Sequence, residues 1–246
     1  MKCLVLAAGY ATRLYPLTEN FPKPLLEVKG KTILDWLLDD IDKSEKINEY
    51  IIVSNHKFIN HFEKWKESKK LSSPITIIDD GTMSNEERLG AVVDINLVIQ
   101  KLNIKEELLV IAGDNLLDFS LCEFIEYYNK KQTTCVMRYF EENKEKIKKS
   151  ACLLIDANDL VLNMEEKPNE PKSNWCCPAF YIYSKSAVKE VNNAINNGCA
   201  KDAPGSYIAY LYDKEEVHAM EMPGKRYDIG NMESYKWACD NYLEKI

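Results

Sequence analysis

The chain has no apolar run of the ~18–20 residues that a bilayer-spanning helix needs. Its N-terminus, MKCLVLAAGYATRL, holds only a short apolar run, too short for a secretory leader with a cleavage site. A cytosolic protein is therefore expected. An excess of positive charge is also missing: 32 Lys+Arg stand against 39 Asp+Glu, a net charge of -7. That argues against a protein that coats nucleic acid, which needs a basic face, and leaves room for a local basic pocket. The eight cysteines include no C-x-x-C pair, and the three histidines have no zinc-finger spacing. Buried reduced thiols are the expectation, with the adjacent Cys176 and Cys177 pointing to opposite faces of a strand. Repeats, low-complexity tracts and long linkers are absent too. So are the G-x-G-x-x-G and G-x-x-x-x-G-K-[ST] phosphate loops, which disfavours a dinucleotide-binding dehydrogenase and a P-loop NTPase.

What is present is 46% hydrophobic and 29% charged residues, enough for a globular core. Up to residue 131, apolar strands alternate with helical segments. Strands are expected at Lys2–Leu6, Tyr50–Val53, Ile75–Ile78 and Leu108–Ala112. Helices are expected at Thr32–Lys43, Asn55–Glu67, Leu89–Leu102 and Leu121–Lys131. This β-α repetition argues for an α/β fold with a mostly parallel sheet and helices on both faces. Further strands are expected at Thr133–Tyr139, Ala151–Ile155, Val161–Glu165 and Ala179–Tyr183. The last helices fall at Ser186–Asn196, Ser206–Tyr212 and Met232–Glu244. The lysine-rich stretch Glu141–Ser150 reads as an exposed loop or frayed hairpin. The whole chain, 1–246, is read as one domain, with a nucleotide-binding part to about 131 and an acceptor-binding part from about 132.

The strongest chemical signal follows the first strand. Ala7-Ala8-Gly9 lets a ligand approach the backbone closely, and N–H groups exposed there cradle phosphates. Arg13 and Lys23 add two cations that could meet a polyphosphate. Later, Asp114 ends an apolar strand after a glycine, a poor place for a core residue and a good one for a metal ligand. It reads equally as a helix N-cap. Of Glu165 and Glu166, alternation along a strand turns only one inward. Asp228 reads alone as a turn residue beside Gly230.

The run Gly9, Thr12, Arg13, Leu14, Pro16, Thr18, then Lys23-Pro24, resembles the opening signature of the sugar-1-phosphate nucleotidyltransferases, or nucleotide-sugar pyrophosphorylases. Arg88-Leu89-Gly90-Ala91, Gly113-Asp114, Glu166-Lys167-Pro168 and Tyr227-Asp228-Ile229-Gly230 resemble the family's later motifs, in the family's order. The likeness runs from Lys2 to about Ala238. It implies a three-layer α/β/α sandwich with a Rossmann-like, mostly parallel mixed sheet. It implies that Ala8, Gly9, Tyr10, Ala11, Thr12 and Gly90 bind the nucleotide. Arg13 and Lys23 are then catalytic, Glu166 and Lys167 bind the acceptor, and Asp114 and Asp228 hold Mg²⁺. The implied partners are an NTP and a small phosphorylated acceptor, with neither nucleic acid nor membrane, and homo-oligomerisation is left open. The short form lacks the family's C-terminal β-helix, so acyltransferase activity is not expected. Three departures stand out: Ala11 where glycine is usual, Arg226 for tryptophan, and Asn231-Met232 for Thr-Pro. They leave the sugar unnamed and keep a phosphocholine cytidylyltransferase as the alternative, with Trp175 or Tyr227 facing the ammonium group. A catalytically inactive sensor of sugar nucleotides is the alternative of another class.

Overall fold

The computed structural model describes residues 1–242. In chain order the strands and helices are β1 (Lys2–Leu6), β2 (Glu27–Val28), β3 (Lys31–Thr32), α1 (Ile33–Asp42), β4 (Tyr50–Ser54), α2 (Ile59–Ser68), β5 (Ile75–Asp79), α3 (Ala91–Leu102), β6 (Leu108–Ala112), β7 (Asn115–Leu117) and α4 (Cys122–Lys131). Then come β8 (Thr134–Phe140), α5 (Lys144–Ile147), β9 (Ala151–Ile155), β10 (Val161–Glu166), β11 (Trp175–Cys177), β12 (Phe180–Tyr183), α6 (Lys185–Asn196), α7 (Gly205–Leu211), β13 (Val217–Glu221), β14 (Arg226–Asp228) and α8 (Met232–Asn241). No helix among the described residues is long and apolar enough to cross a membrane.

The chain forms two compact units: Met1–Arg88, Ala112–Glu123 and Pro223–Ile246 make the first, Leu89–Ile111 and Phe124–Met222 the second. In the first unit β1 pairs with β4 and β4 with β5, all parallel. The runs CLV and YIIVS are fully buried, as continuous apolar strands covered on both faces require. Helix α1 begins where Thr32 accepts a hydrogen bond from the Asp35 N–H, and it buries Ile33, Leu34, Leu37, Leu38 and Ile41 along one stripe. Antiparallel β14 and β7 place Asp228 opposite Asn115. Asn231 opens α8 through a capping box with Ser234, so the departure from threonine keeps an equally good cap.

In the second unit the strands run in the order β10-β9-β11-β8-β12-β6, with β13 alongside β8. Its pairings are antiparallel except that of β13 with β8, so the parallel pairs concentrate in the first unit. The expected strands and helices are present. The Asn55–Glu67 segment begins as a 3-10 turn at His56–Phe58 before α2. Glu141–Ser150 is a correction: Asn143 caps a short helix, α5, and Ile147 is buried beneath it. The expected helix Met232–Glu244 is seen to Asn241, and its last residues lie outside the described ones. All eight cysteines are free, and Cys176 and Cys177 are both buried.

Candidate active site

The first unit builds a hollow from β1 outward. The Ala7 N–H extends the parallel ladder to the Val53 carbonyl, and the chain then leaves the sheet at Ala8-Gly9. Tyr10 turns inward, its hydroxyl 3.0 Å from the Thr82 hydroxyl. Ala11 takes up a left-handed conformation at φ 48, ψ 41, held by the Thr18 hydroxyl donating to its carbonyl at 2.8 Å. A 3-10 turn at Thr12–Leu14 follows, burying Leu14 and leaving Arg13 exposed. The hollow, about 250 Å³, is lined by Gly9, Ala11, Arg13, Lys23 and Asp114 over a floor of small and apolar residues.

Lys23 is the centre of this arrangement. It is only 8% exposed, in a 3-10 turn with Pro24. Its ammonium donates to Asp114 Oδ2 at 2.7 Å and lies 3.8 Å from Asp228 Oδ1. Such pairing offsets the hydration that a buried ammonium gives up. Gly113 makes the approach possible: a Cβ there would stand 2.8 Å from Val5 Cγ1 and 3.3 Å from Pro24 Cγ. Asp114 leads into strand β7, so it is not a helix cap. The β14–β7 register brings in Asp228, and the Ile229 N–H donates to the Asp114 carbonyl at 3.3 Å.

Arg226 closes a ring of charges that sequence reasoning noted only as a departure. Its guanidinium donates to Asn115 Oδ1 at 2.7 Å and lies 4.0 Å from Asp228 Oδ2. Asn115, 2% exposed, passes the connection on by donating to Asp114 Oδ1 at 2.8 Å. Two carboxylates thus face two cations. A hard divalent cation suits the donor set, because a carboxylate just before β7 and one at the end of β14 converge where an ammonium already sits. Mg²⁺ needs only one or two protein carboxylates when phosphates and water complete its shell. Among the described residues no group of three or more metal-ligating His, Cys, Asp or Glu side chains exists, so a closed all-protein cage is absent.

Gly90, Glu166 and Lys167 belong to the second unit. Gly90, at φ +92, precedes α3, and a Cβ there would press on the backbone of Lys201. The N–H groups of Ala91 and Val92 bond to the carbonyls of Asp202 and Lys201. Glu166 ends β10, half-buried, while Glu165 is exposed. Burial pushes the Glu166 carboxyl above the usual range; Lys167 pulls it down and Asp202 pushes it up. Gly205 lies against it, since a Cβ there would collide with Glu166 Oε2. Lys167 sits in the left-handed region at φ 49, its N–H donating to the Ser150 carbonyl at 3.0 Å. A non-glycine residue in that region is a form of strain that gathers at functional sites. The segment 201–205 therefore meets both Gly90 and Glu166. Sequence reasoning missed it, although Pro204-Gly205 at the start of α7 was a visible signal.

Residues 2–245 match the nucleotidyl transferase family. The chain belongs to this family. It is 28% identical to the bifunctional protein GlmU of Methanocaldococcus jannaschii, over 100% of this chain and 55% of that protein. It is 25% identical to the glucose-1-phosphate adenylyltransferase of Fervidobacterium nodosum, over 94% of this chain and 59% of that protein. The chain thus spans little more than half the length of these curated relatives. A UDP-glucose pyrophosphorylase complexed with UDP-glucose shares the fold, with a TM-score of 0.82 at 21% identity over 97% of each chain.

Proposed function

We propose that this family member joins an NTP to a sugar 1-phosphate, giving an NDP-sugar and pyrophosphate. The observation that carries the reading is buried Lys23 held between Asp114 and Asp228 at the hollow lined by Gly9, Ala11 and Arg13. An oxygen of the acceptor phosphate attacks the α-phosphorus as the bond to the β-phosphate oxygen breaks and pyrophosphate leaves. The attacking oxygen is already anionic, so no general base is needed, and catalysis reduces to positioning and charge neutralisation. Ala8, Gly9, Tyr10, Ala11 and Thr12 cradle the nucleotide. Gly90 shares that role through the close packing at the start of α3. Arg13 meets the β- and γ-phosphates, and Lys23 the charge growing near the α-phosphate. Lys167 takes the acceptor phosphate and Glu166 its hydroxyls. Asp114 and Asp228 would hold Mg²⁺, which when bound neutralises phosphate charge. We place the reaction in the cytoplasm, supported by eight unbridged cysteines.

The phosphocholine reading loses its aromatic faces. Trp175 already carries the Arg138 guanidinium 4.7 Å from its ring centroid and packs T-shaped against Phe140. Tyr227 stacks on Trp237, with its hydroxyl on Asp118. The test is a panel of NTPs against several sugar 1-phosphates and phosphocholine, read as pyrophosphate release with Mg²⁺ and with EDTA. The expected result is turnover of at least one sugar 1-phosphate, abolished by EDTA and restored by Mg²⁺. Faster turnover of phosphocholine than of every sugar would overturn the acceptor assignment. Tight binding of a nucleotide sugar with no pyrophosphate from any pair would mark an inactive sensor.

A further inference from the structure

The second unit contains a hollow of about 480 Å³ between α5 and the loop joining β10 to β11, within the size range of small-molecule sites. Its walls are held in place by the protein itself. Ile147 forms the floor, packed with Cys152, Cys176 and Tyr139 in a small core of its own. At one end the Glu141 N–H donates to the Asn174 carbonyl at 2.9 Å, and Asn174 Nδ2 returns a bond to the Glu141 carbonyl at 2.8 Å. At the other end the Lys167 N–H bonds to the Ser150 carbonyl. Two clasped walls make a preformed cavity, so a ligand entering it bears little ordering cost.

The lining is cationic in a chain whose net charge is -7. Lys144 and Lys148 come from α5 and its end, Lys172 from the opposite loop, and Glu170 is the one carboxylate among them. Lys148 is partly neutralised by Glu145 at 2.9 Å. Among the described residues, neither Lys144 nor Lys172 has an ion-pair partner. Like charges gathered around one hollow repel each other, and an anion bound there is attracted to all of them. The volume is too small for a nucleic-acid duplex, and the lining has the wrong sign for a metal cation.

We propose that this hollow binds a phosphate-bearing small molecule, held by Lys144 and Lys172 from its two walls. Neither Glu166 nor Lys167 lines it, so the inference does not depend on the proposed transfer reaction. The test is an NMR titration of the ¹⁵N-labelled full chain with inorganic phosphate, and separately with glucose 6-phosphate, at constant ionic strength. Amides of residues 144–148 and 169–174 should shift saturably with one or both, and chloride at equal ionic strength should leave them still. Saturation by glucose 6-phosphate at lower concentration than by phosphate identifies an ester site, and the reverse a free-phosphate site. The double variant Lys144→Glu/Lys172→Glu should weaken binding there by about tenfold or more, while shifts at Gly9–Arg13 persist. Should that variant fold poorly, Lys172→Met alone should weaken binding about threefold. Absence of saturable shifts in the two segments, equal shifts with chloride, or undiminished affinity in the folded variants would overturn the proposal.

Discussion

Arg226→Met should tighten Mg²⁺ binding to the nucleotide-free protein while lowering its stability. The guanidinium lies 4.0 Å from Asp228 Oδ2. At that distance two unit charges interact by about 1 kcal/mol in water and about 4 kcal/mol at an effective dielectric of 20. Asp228 is 49% exposed and Arg226 23%, which places the pair near the aqueous limit. Removing the cation thus releases about 1 kcal/mol of competition for the carboxylate, or about fivefold in metal affinity. The stability loss has another origin. Asn115 is 2% exposed, and its Oδ1 loses the charged donor now 2.7 Å away. A buried acceptor left without a donor costs about 1–3 kcal/mol. Isothermal titration of Mg²⁺ at low ionic strength, with thermal melts alongside, measures both effects. Arg226→Lys keeps the charge and should leave metal affinity near wild type. Equal Mg²⁺ affinity in the wild type and the Met variant, or weaker binding in the Met variant, would refute the reasoning.

Three further outcomes are expected. Ala11→Gly relieves a left-handed alanine, which costs about 1–2 kcal/mol, against about 0.5–1 kcal/mol of added chain entropy; a modest rise in Tm should follow, and a fall would show that the loop is not strained. Gly205→Ala should push Glu166 aside and raise the acceptor KM about tenfold with the NTP KM unchanged, and an unchanged acceptor KM would free Glu166 from that role. Because burial raises the Glu166 pKa, ionising it opposes folding: the stability advantage of its neutral form is full below the unfolded pKa and is lost as pH rises through the folded value. Acceptor use should show an acidic limb above the ordinary glutamate pKa of about 4.3, absent in Glu166→Gln.

The strands and long helices were legible because each carries one periodicity over many residues. Leu108–Ala112 is a continuous apolar run of strand length, and the α3 stripe of Val92, Ile95, Val98 and Ile99 has the spacing of a helix packed on one face. Legibility failed where local and long-range signals part. Strands β7 and β14 are three residues each, and their pairing depends on partners more than a hundred residues apart. The lysine-rich stretch after β8 hides a helix because one Asn cap and one buried Ile outweigh its polar composition. In the candidate site, Lys23, Asp114 and Asp228 were each visible as a residue type at a suggestive place. Their convergence came only from the family resemblance and not from the residues themselves, because it depends on the close approach that Gly113 permits and on the β14–β7 register.

The ring also sets an order of events on the proposed reading. Both oxygens of Asp114 already have donors: Lys23 at Oδ2 and the Asn115 amide at Oδ1. Asn115 is fixed by burial and by Arg226, whereas Lys23 faces the hollow, where a polyphosphate would give its ammonium new oxygens. When Lys23 exchanges Asp114 for phosphate, Oδ2 becomes available to a cation carried on the same nucleotide. Metal and NTP should therefore bind as a coupled pair: Mg²⁺ weakly to the free protein, and much more tightly in the presence of a non-hydrolysable NTP analogue. Lys23→Met removes both the competitor and the exchange. It should raise Mg²⁺ affinity in the free protein and shrink the enhancement that the analogue provides. By linkage the same factor must appear in the analogue's affinity with and without Mg²⁺, so two titrations check each other. An enhancement as large in Lys23→Met as in the wild type would show that the lysine is not the coupling element.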